Sequence, residues 1–88
     1  MLIVQKFGGT SVGNIERIKN VANKVKSELD KKNKVIVVVS AMSGVTNQLV
    51  DYCNQVSQLT SNDSLTEYDS IIATGEQITC GLLALELQ

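Results

Sequence analysis

Val4-Gln5-Lys6-Phe7-Gly8-Gly9-Thr10-Ser11-Val12-Gly13 is the stretch on which the fold turns. Leu2-Ile3-Val4 enters it as an apolar strand, and Ile15, Ile18, Val21, Ala22, Val25 and Leu29 follow at helical spacing. Strand, glycine turn, helix is the local order in which backbones hold phosphates. Adjacent glycines let the main chain approach an anion with no side chain in the way, positive φ included. Lys6 at the strand's carboxyl end offers a compact charge to a phosphoryl oxygen, and Thr10 and Ser11 add hydroxyl donors. The plainer alternative is a tight turn beside a solvated lysine. Neither G-x-x-x-x-G-K-[ST] nor G-x-G-x-x-G occurs, and here the lysine stands before the glycines.

Working outward, Asn14 is a good N-cap for a helix that turns Glu16, Arg17, Lys19, Lys24 and Lys26 away from its apolar stripe. Asp30-Lys31-Lys32-Asn33 ends it, with lysines complementing the helix dipole and Asn33 as the left-handed residue after the cap. Val35-Ile36-Val37-Val38-Val39 is a β-branched run without polar alternation, which predicts a strand covered on both faces. Strand, helix, strand reads as a βαβ unit with parallel strands and a right-handed crossover. Both carboxyl ends then open on one edge, where open α/β sheets bind ligands. That brings Lys6-Phe7-Gly8-Gly9 close to Ser40-Ala41-Met42-Ser43-Gly44.

Beyond this crevice, Thr46 or Asn47 is expected to cap a helix through Leu49, Val50, Cys53, Val56 and Leu59. Thr46 serves either as that cap or as a hydroxyl lining the crevice. Residues 60–66 read as a polar linker, followed by a short helix from about residue 66 with Tyr68, Ile71 and Ile72. Gly75 is expected to interrupt it, and Thr74-Gly75-Glu76-Gln77 to cap a last helix burying Ile78, Leu82, Leu85 and, as an option, Cys80. Glu76, in that helix's first turn, either complements the dipole or receives a substrate ammonium group.

Composition narrows the chemistry. The 88 residues fit one small domain or a piece of a larger one. The formal net charge is −1 and the lysines are dispersed, which argues against capture of nucleic acid. No apolar run reaches the length of a membrane span, and Met1 leads straight into a strand, so the expected compartment is the cytoplasm. Histidine is absent, which removes imidazole acid–base catalysis, Ser-His triads and most zinc sites. Cys53 and Cys80 lack metal-ligand spacing and read as small core residues on apolar helix faces.

Three blocks together resemble the aspartokinase family. They are Lys6-Phe7-Gly8-Gly9-Thr10-Ser11-Val12, Val38-Val39-Ser40-Ala41-Met42-Ser43-Gly44-Val45-Thr46-Asn47, and Ala73-Thr74-Gly75-Glu76-Gln77. The K-x-G-G core is shared with other amino acid kinases, whereas the full run and the order of the blocks are more specific. The resemblance implies the amino-terminal βαβ-α-α part of an open, mostly parallel α/β sheet with helices on both faces. It implies transfer of the ATP γ-phosphoryl group to the β-carboxylate of L-aspartate, the entry step of lysine, threonine and methionine synthesis. By the same resemblance, Lys6, Phe7, Gly8, Gly9, Thr10 and Ser11 bind the ATP phosphates, and Lys6 also neutralises charge on the transferring group. Ser40 lies near the transferring phosphate, while Thr46 and Glu76 hold aspartate, Glu76 by its ammonium.

Aspartokinases continue beyond the point matched by Gln88 into the rest of the kinase domain and regulatory ACT domains. The family's aspartate-binding arginine, catalytic-loop aspartate and most of its adenine and magnesium site lie there. Residues 1–88 are therefore expected to form a partial kinase domain, inactive alone, with Mg2+ arriving with ATP and no metal ligand in this chain. A two-stranded sheet is marginal by itself. The isolated segment is thus expected to be sticky or partly disordered unless a homo-oligomer or a complementing kinase chain completes the sheet. Competing readings are an amino acid kinase for glutamate or acetylglutamate, an inactive remnant, and a partner-binding piece.

Overall fold

The computed structural model describes residues 1–59 and 61–88. In chain order these form β1 (Leu2–Phe7), α1 (Ile15–Asp30), β2 (Lys34–Val39), α2 (Val45–Val56) and α3 (Asn62–Leu87). The strands pair in parallel, with Leu2 opposite Lys34 and Phe7 opposite Val39. The α/β class and the βαβ opening are as the sequence predicts. Asn14 caps α1 as expected, its side-chain oxygen accepting from the Arg17 amide at 2.9 Å.

Burial alternates strictly along both strands, because successive side chains point to opposite faces. Phe7, Val35, Val37 and Val39 pack on a core of Val12, Ile18, Val21, Ala22, Val25 and Leu83, supplied by the first loop, α1 and α3. The opposite face is bare: Leu2, Val4, Ile36 and Val38 are 60%, 63%, 50% and 46% exposed. Among the described residues the expected cover on both faces is thus present on one only, since α1 and α3 share a side. Gln5 belongs to the covered face, and its Oε1 is buried without a hydrogen-bond partner among the described residues.

The carboxyl half of the chain departs most from expectation. A single helix, α3, replaces the predicted linker, short helix and final helix. Ser61 caps it, accepting from the Ser64 amide at 3.1 Å. Residues 62–66 are helical, and Thr60, the other end of the predicted linker, lies outside the described residues. Thr74 does not cap: it sits mid-helix and returns its hydroxyl to the Ile71 carbonyl at 2.6 Å. Gly75 does not break the helix, because it is a packing surface. A Cβ there would stand 3.0 Å from the Ala41 Cβ and 3.3 Å from a Val45 methyl. The helix-propensity penalty of about 1 kcal/mol for glycine is offset by that close approach.

One uninterrupted helix also sets a different inner face. Gly75, Thr79 and Leu83, four residues apart, are buried, while Ile78 and Leu85 are exposed. Cys80, one step round from Thr79, is exposed and does not join the core, whereas Cys53 is buried as predicted. At the end of α1 the left-handed residue is Lys32, with φ 69°, and not Asn33. Asn33 instead donates its side-chain amide to Glu28 at 3.0 Å.

Candidate functional site

Parallel pairing puts the carboxyl ends of β1 and β2 side by side, so the loops that leave them share a rim. The Ser40 amide donates to the Phe7 carbonyl at 3.2 Å, tying the bases of the two loops together. The first loop closes as consecutive turns, Ser11 amide to Gly8 carbonyl at 3.0 Å and Gly13 amide to Thr10 carbonyl at 3.2 Å. Val12 is fully buried beneath it and anchors the loop to the core.

The glycines of this loop matter for space. Gly44 is the only glycine with positive φ among the described residues, so the Gly8-Gly9 pair does not use that freedom. A Cβ on Gly9 would lie 3.1 Å from the Ala41 carbonyl oxygen, and one on Gly13 would lie 3.5 Å from the Ser43 Cβ. The first of these is a tight contact that the lack of a side chain at Gly9 permits, and the second is an ordinary van der Waals contact. At Gly8 a Cβ would meet nothing within 4 Å, which leaves that side of the loop open to a ligand. The amides of Gly9 and Thr10 carry no hydrogen bond among the described residues and remain available to an acceptor.

The second loop closes differently. Its N-cap is Gly44, at φ 84° and ψ −15°, with no side-chain cap, so neither Thr46 nor Asn47 caps α2. Both lie inside its first turn, which holds no acidic residue. The Val45 amide donates to the Met42 carbonyl at 3.0 Å and the Gln48 amide to Gly44 at 3.0 Å. The intervening amides of Thr46 and Asn47 are left without a backbone partner among the described residues, at the positive end of a helix dipole. The Thr46 hydroxyl, released from capping, is free for other use.

Each predicted site residue has a definite place. Lys6 is exposed, stands opposite Val38 and lies on the bare sheet face, one residue below the first loop. It takes no part in an ion pair among the described residues, where Lys31 with Glu28 at 3.5 Å is the one pair formed. Ser40 is half-buried immediately after β2. Thr46 and Glu76 are exposed and directly follow Val45 and Gly75, whose close approach joins α2 to α3. Glu76 belongs to the interior of α3, so a first-turn dipole role is ruled out for it.

Ser11 lines a polar hollow of about 320 Å³ together with Arg17, Asn20, Val21 and Lys24. An apolar hollow of about 300 Å³ between α2 and α3, lined in part by Tyr52, Cys53 and Tyr68, contains none of the predicted site residues. Among the described residues no group of three His, Cys, Asp or Glu side chains is placed to hold a metal ion.

Sequence reasoning missed two features of this rim. Arg17, read as a solvent-facing residue, donates its Nη1 to the Thr10 carbonyl at 2.8 Å. Gly44 was passed over as the cap. The available signals were an arginine one turn into the helix after the glycine loop, and a glycine at the mouth of an otherwise uncapped helix.

Unpartnered amides and an exposed lysine share the rim of a parallel sheet, and comparison with known proteins gives the family. The profile of the amino acid kinase family matches residues 1–88. The chain belongs to the amino acid kinase family. Within it, this amino acid kinase segment is 60% identical over 87 residues to the aspartokinase of Rickettsia felis, covering 99% of this chain and 22% of that protein. It is 52% identical over 86 residues to the aspartokinase of Geobacillus stearothermophilus, covering 98% of this chain and 20% of the relative. A crystal structure of aspartate kinase from Synechocystis superposes with a TM-score of 0.93 at 48% identity, covering 100% of this chain and 15% of that one. This amino acid kinase segment thus spans about a fifth of the length of the curated relatives it matches.

Proposed function

We propose that residues 1–88 are the phosphate-binding opening of an aspartate kinase, a partial domain that contributes to transfer of the ATP γ-phosphoryl group to L-aspartate, giving 4-phospho-L-aspartate. The observation that carries this reading is the contact between the two loops. Gly9 and Gly13 close on Ala41 and Ser43, and Gly75 closes on Ala41 and Val45, so all three sequence blocks meet at one edge. Phosphoryl transfer asks for positioning and charge stabilisation and little covalent chemistry. This rim is built of suitable parts: an ammonium, open amides, hydroxyls and one carboxylate.

In this reading Lys6 and the Phe7–Ser11 backbone take the ATP phosphates, and the Gly9 and Thr10 amides donate to phosphoryl oxygens. Lys6, unpaired on the bare face, neutralises charge as it spreads over the transferring group. Ser40 stands next to that group. Thr46, relieved of capping, and Glu76, relieved of a dipole role, hold aspartate from the α2–α3 side, with Glu76 taking the ammonium. Mg2+ would accompany ATP, supplying charge neutralisation on the phosphates. The proposed setting is the cytoplasm and the pathway is lysine, threonine and methionine synthesis. Protein partners would be a second copy or a complementing kinase chain that covers the bare sheet face.

The test is a full-length kinase in which residues 1–88 replace the matching segment of the Rickettsia felis aspartokinase, with acyl phosphate trapped by hydroxylamine. Aspartate- and ATP-dependent hydroxamate is expected from it, and none from the isolated 88-residue chain. Activity with glutamate and not aspartate would overturn the substrate assignment. Turnover by the isolated chain would overturn its incompleteness.

A further inference from the structure

We propose that Arg17 is a positioning residue for phosphoryl transfer, acting through the first loop without touching the nucleotide; this rests on the reading that the loop holds ATP phosphates. The Thr10 carbonyl accepts twice, from the Gly13 amide at 3.2 Å and from Arg17 Nη1 at 2.8 Å. The shorter bond is charge-assisted, the stronger class of hydrogen bond. It fixes more than one atom. A trans peptide is planar, so a carbonyl held toward α1 turns the Ser11 N–H the opposite way. There the Ser11 amide meets the Gly8 carbonyl at 3.0 Å and closes the turn that carries the unpartnered Gly9 and Thr10 amides. Arg17 therefore sets the direction of the donors that the phosphates need.

The clamp is mounted on rigid structure. Its own backbone amide is held by the Asn14 side chain at 2.9 Å, and the next residue, Ile18, is 2% exposed in the core. The hollow beside Arg17 is lined by Ser11, Asn20, Val21 and Lys24, and Arg17 forms no ion pair among the described residues. A carbonyl tied to a guanidinium is also kept from facing the phosphate oxygens, which it would repel.

The test uses the full-length kinase carrying residues 1–88 described above. Arg17→Met keeps the aliphatic stem and removes the donor. It is expected to raise the ATP KM about tenfold, the equivalent of one charge-assisted bond, with the aspartate KM unchanged. Arg17→Lys, which keeps a charged donor, is expected to stay within about threefold of the parent on the same scale. Two outcomes would overturn the proposal: an unchanged ATP KM in Arg17→Met, or an equal loss with both substrates that follows the loss of folded protein. If the unsubstituted kinase shows no turnover that depends on Lys6, the functional reading fails instead. The clamp is then judged by hydrogen exchange at the Ser11 and Gly13 amides. Faster exchange in Arg17→Met supports it, and equal exchange refutes it.

Discussion

The two loops on the rim are held in shape by different means. The first is shaped by side chains: Asn14 caps its helix, Arg17 grips its carbonyl and Val12 plugs it into the core. The second is shaped without a side-chain cap: Gly44 turns through a left-handed conformation, and Gly75 from α3 settles against the Ala41 and Val45 side chains. The difference shows where each loop is vulnerable. Loss of a polar side chain loosens only the first, whereas gain of a side chain disrupts the second and, at Gly9, the first as well. It also divides the proposed labour, since the first loop leaves its own amides open while the second leaves a helix terminus and a hydroxyl open.

Four substitutions in the full-length kinase carrying this segment test that contrast. The largest effect is expected from Lys6→Ala, which removes charge from the rim while leaving both loops as they are. Turnover should fall by about 10²–10³-fold or more, with an unchanged melting temperature. Full activity in that variant would take the phosphate role away from Lys6. Gly75→Leu comes next, because its side chain would enter the space held by Ala41 and Val45. Overpacking of this kind costs about 1–3 kcal/mol and should raise the aspartate KM more than the ATP KM. A wild-type melting curve and unaltered KM values would show that the α2–α3 contact does not govern the second loop.

Gly44→Ala is expected to cost about 1–2 kcal/mol in chemical denaturation, because a Cβ is disfavoured at φ 84°. Asn14→Ala should cost about 1 kcal/mol by loss of the cap, with any kinetic change confined to ATP. If Asn14→Ala shifted the aspartate KM and left that for ATP alone, the division between the loops would be the wrong way round.

Much of this was legible in the sequence where periodicity was strong. The stripe from Ile18 to Val25 and the Asn14 cap each carry one clear instruction, and the β-branched run at residues 35–39 gave the strand but not its one-sided cover. The carboxyl half was misread because Thr74-Gly75-Glu76-Gln77 imitates a helix start. Whether a glycine breaks a helix or lets it dock depends on what lies opposite, and Ala41 is distant in sequence. Capping of α2 was misassigned for a related reason: Thr46 and Asn47 are good caps by side chain, but the turn at Gly44 already satisfies the entry by conformation. The position of Arg17 after the glycine loop was a signal, but its acceptor was not legible, being a main-chain carbonyl, which every residue possesses. The rim as a meeting place was foreseen from parallel pairing, and the individual contacts that hold it were not.

Lys6 also bears on how the strands find their alignment. Each alternates between a helix-covered and a bare face, so sliding β1 by a single position would drive this ammonium among Val12, Ile18 and Val21. Gln5 is already accommodated on that side with one orphaned oxygen, a moderate penalty for a neutral amide. An unpaired ammonium would be far more expensive there. The proposed chemistry and the folding code thus place the same demand on one position, and Lys6 doubles as a proofreader of strand register.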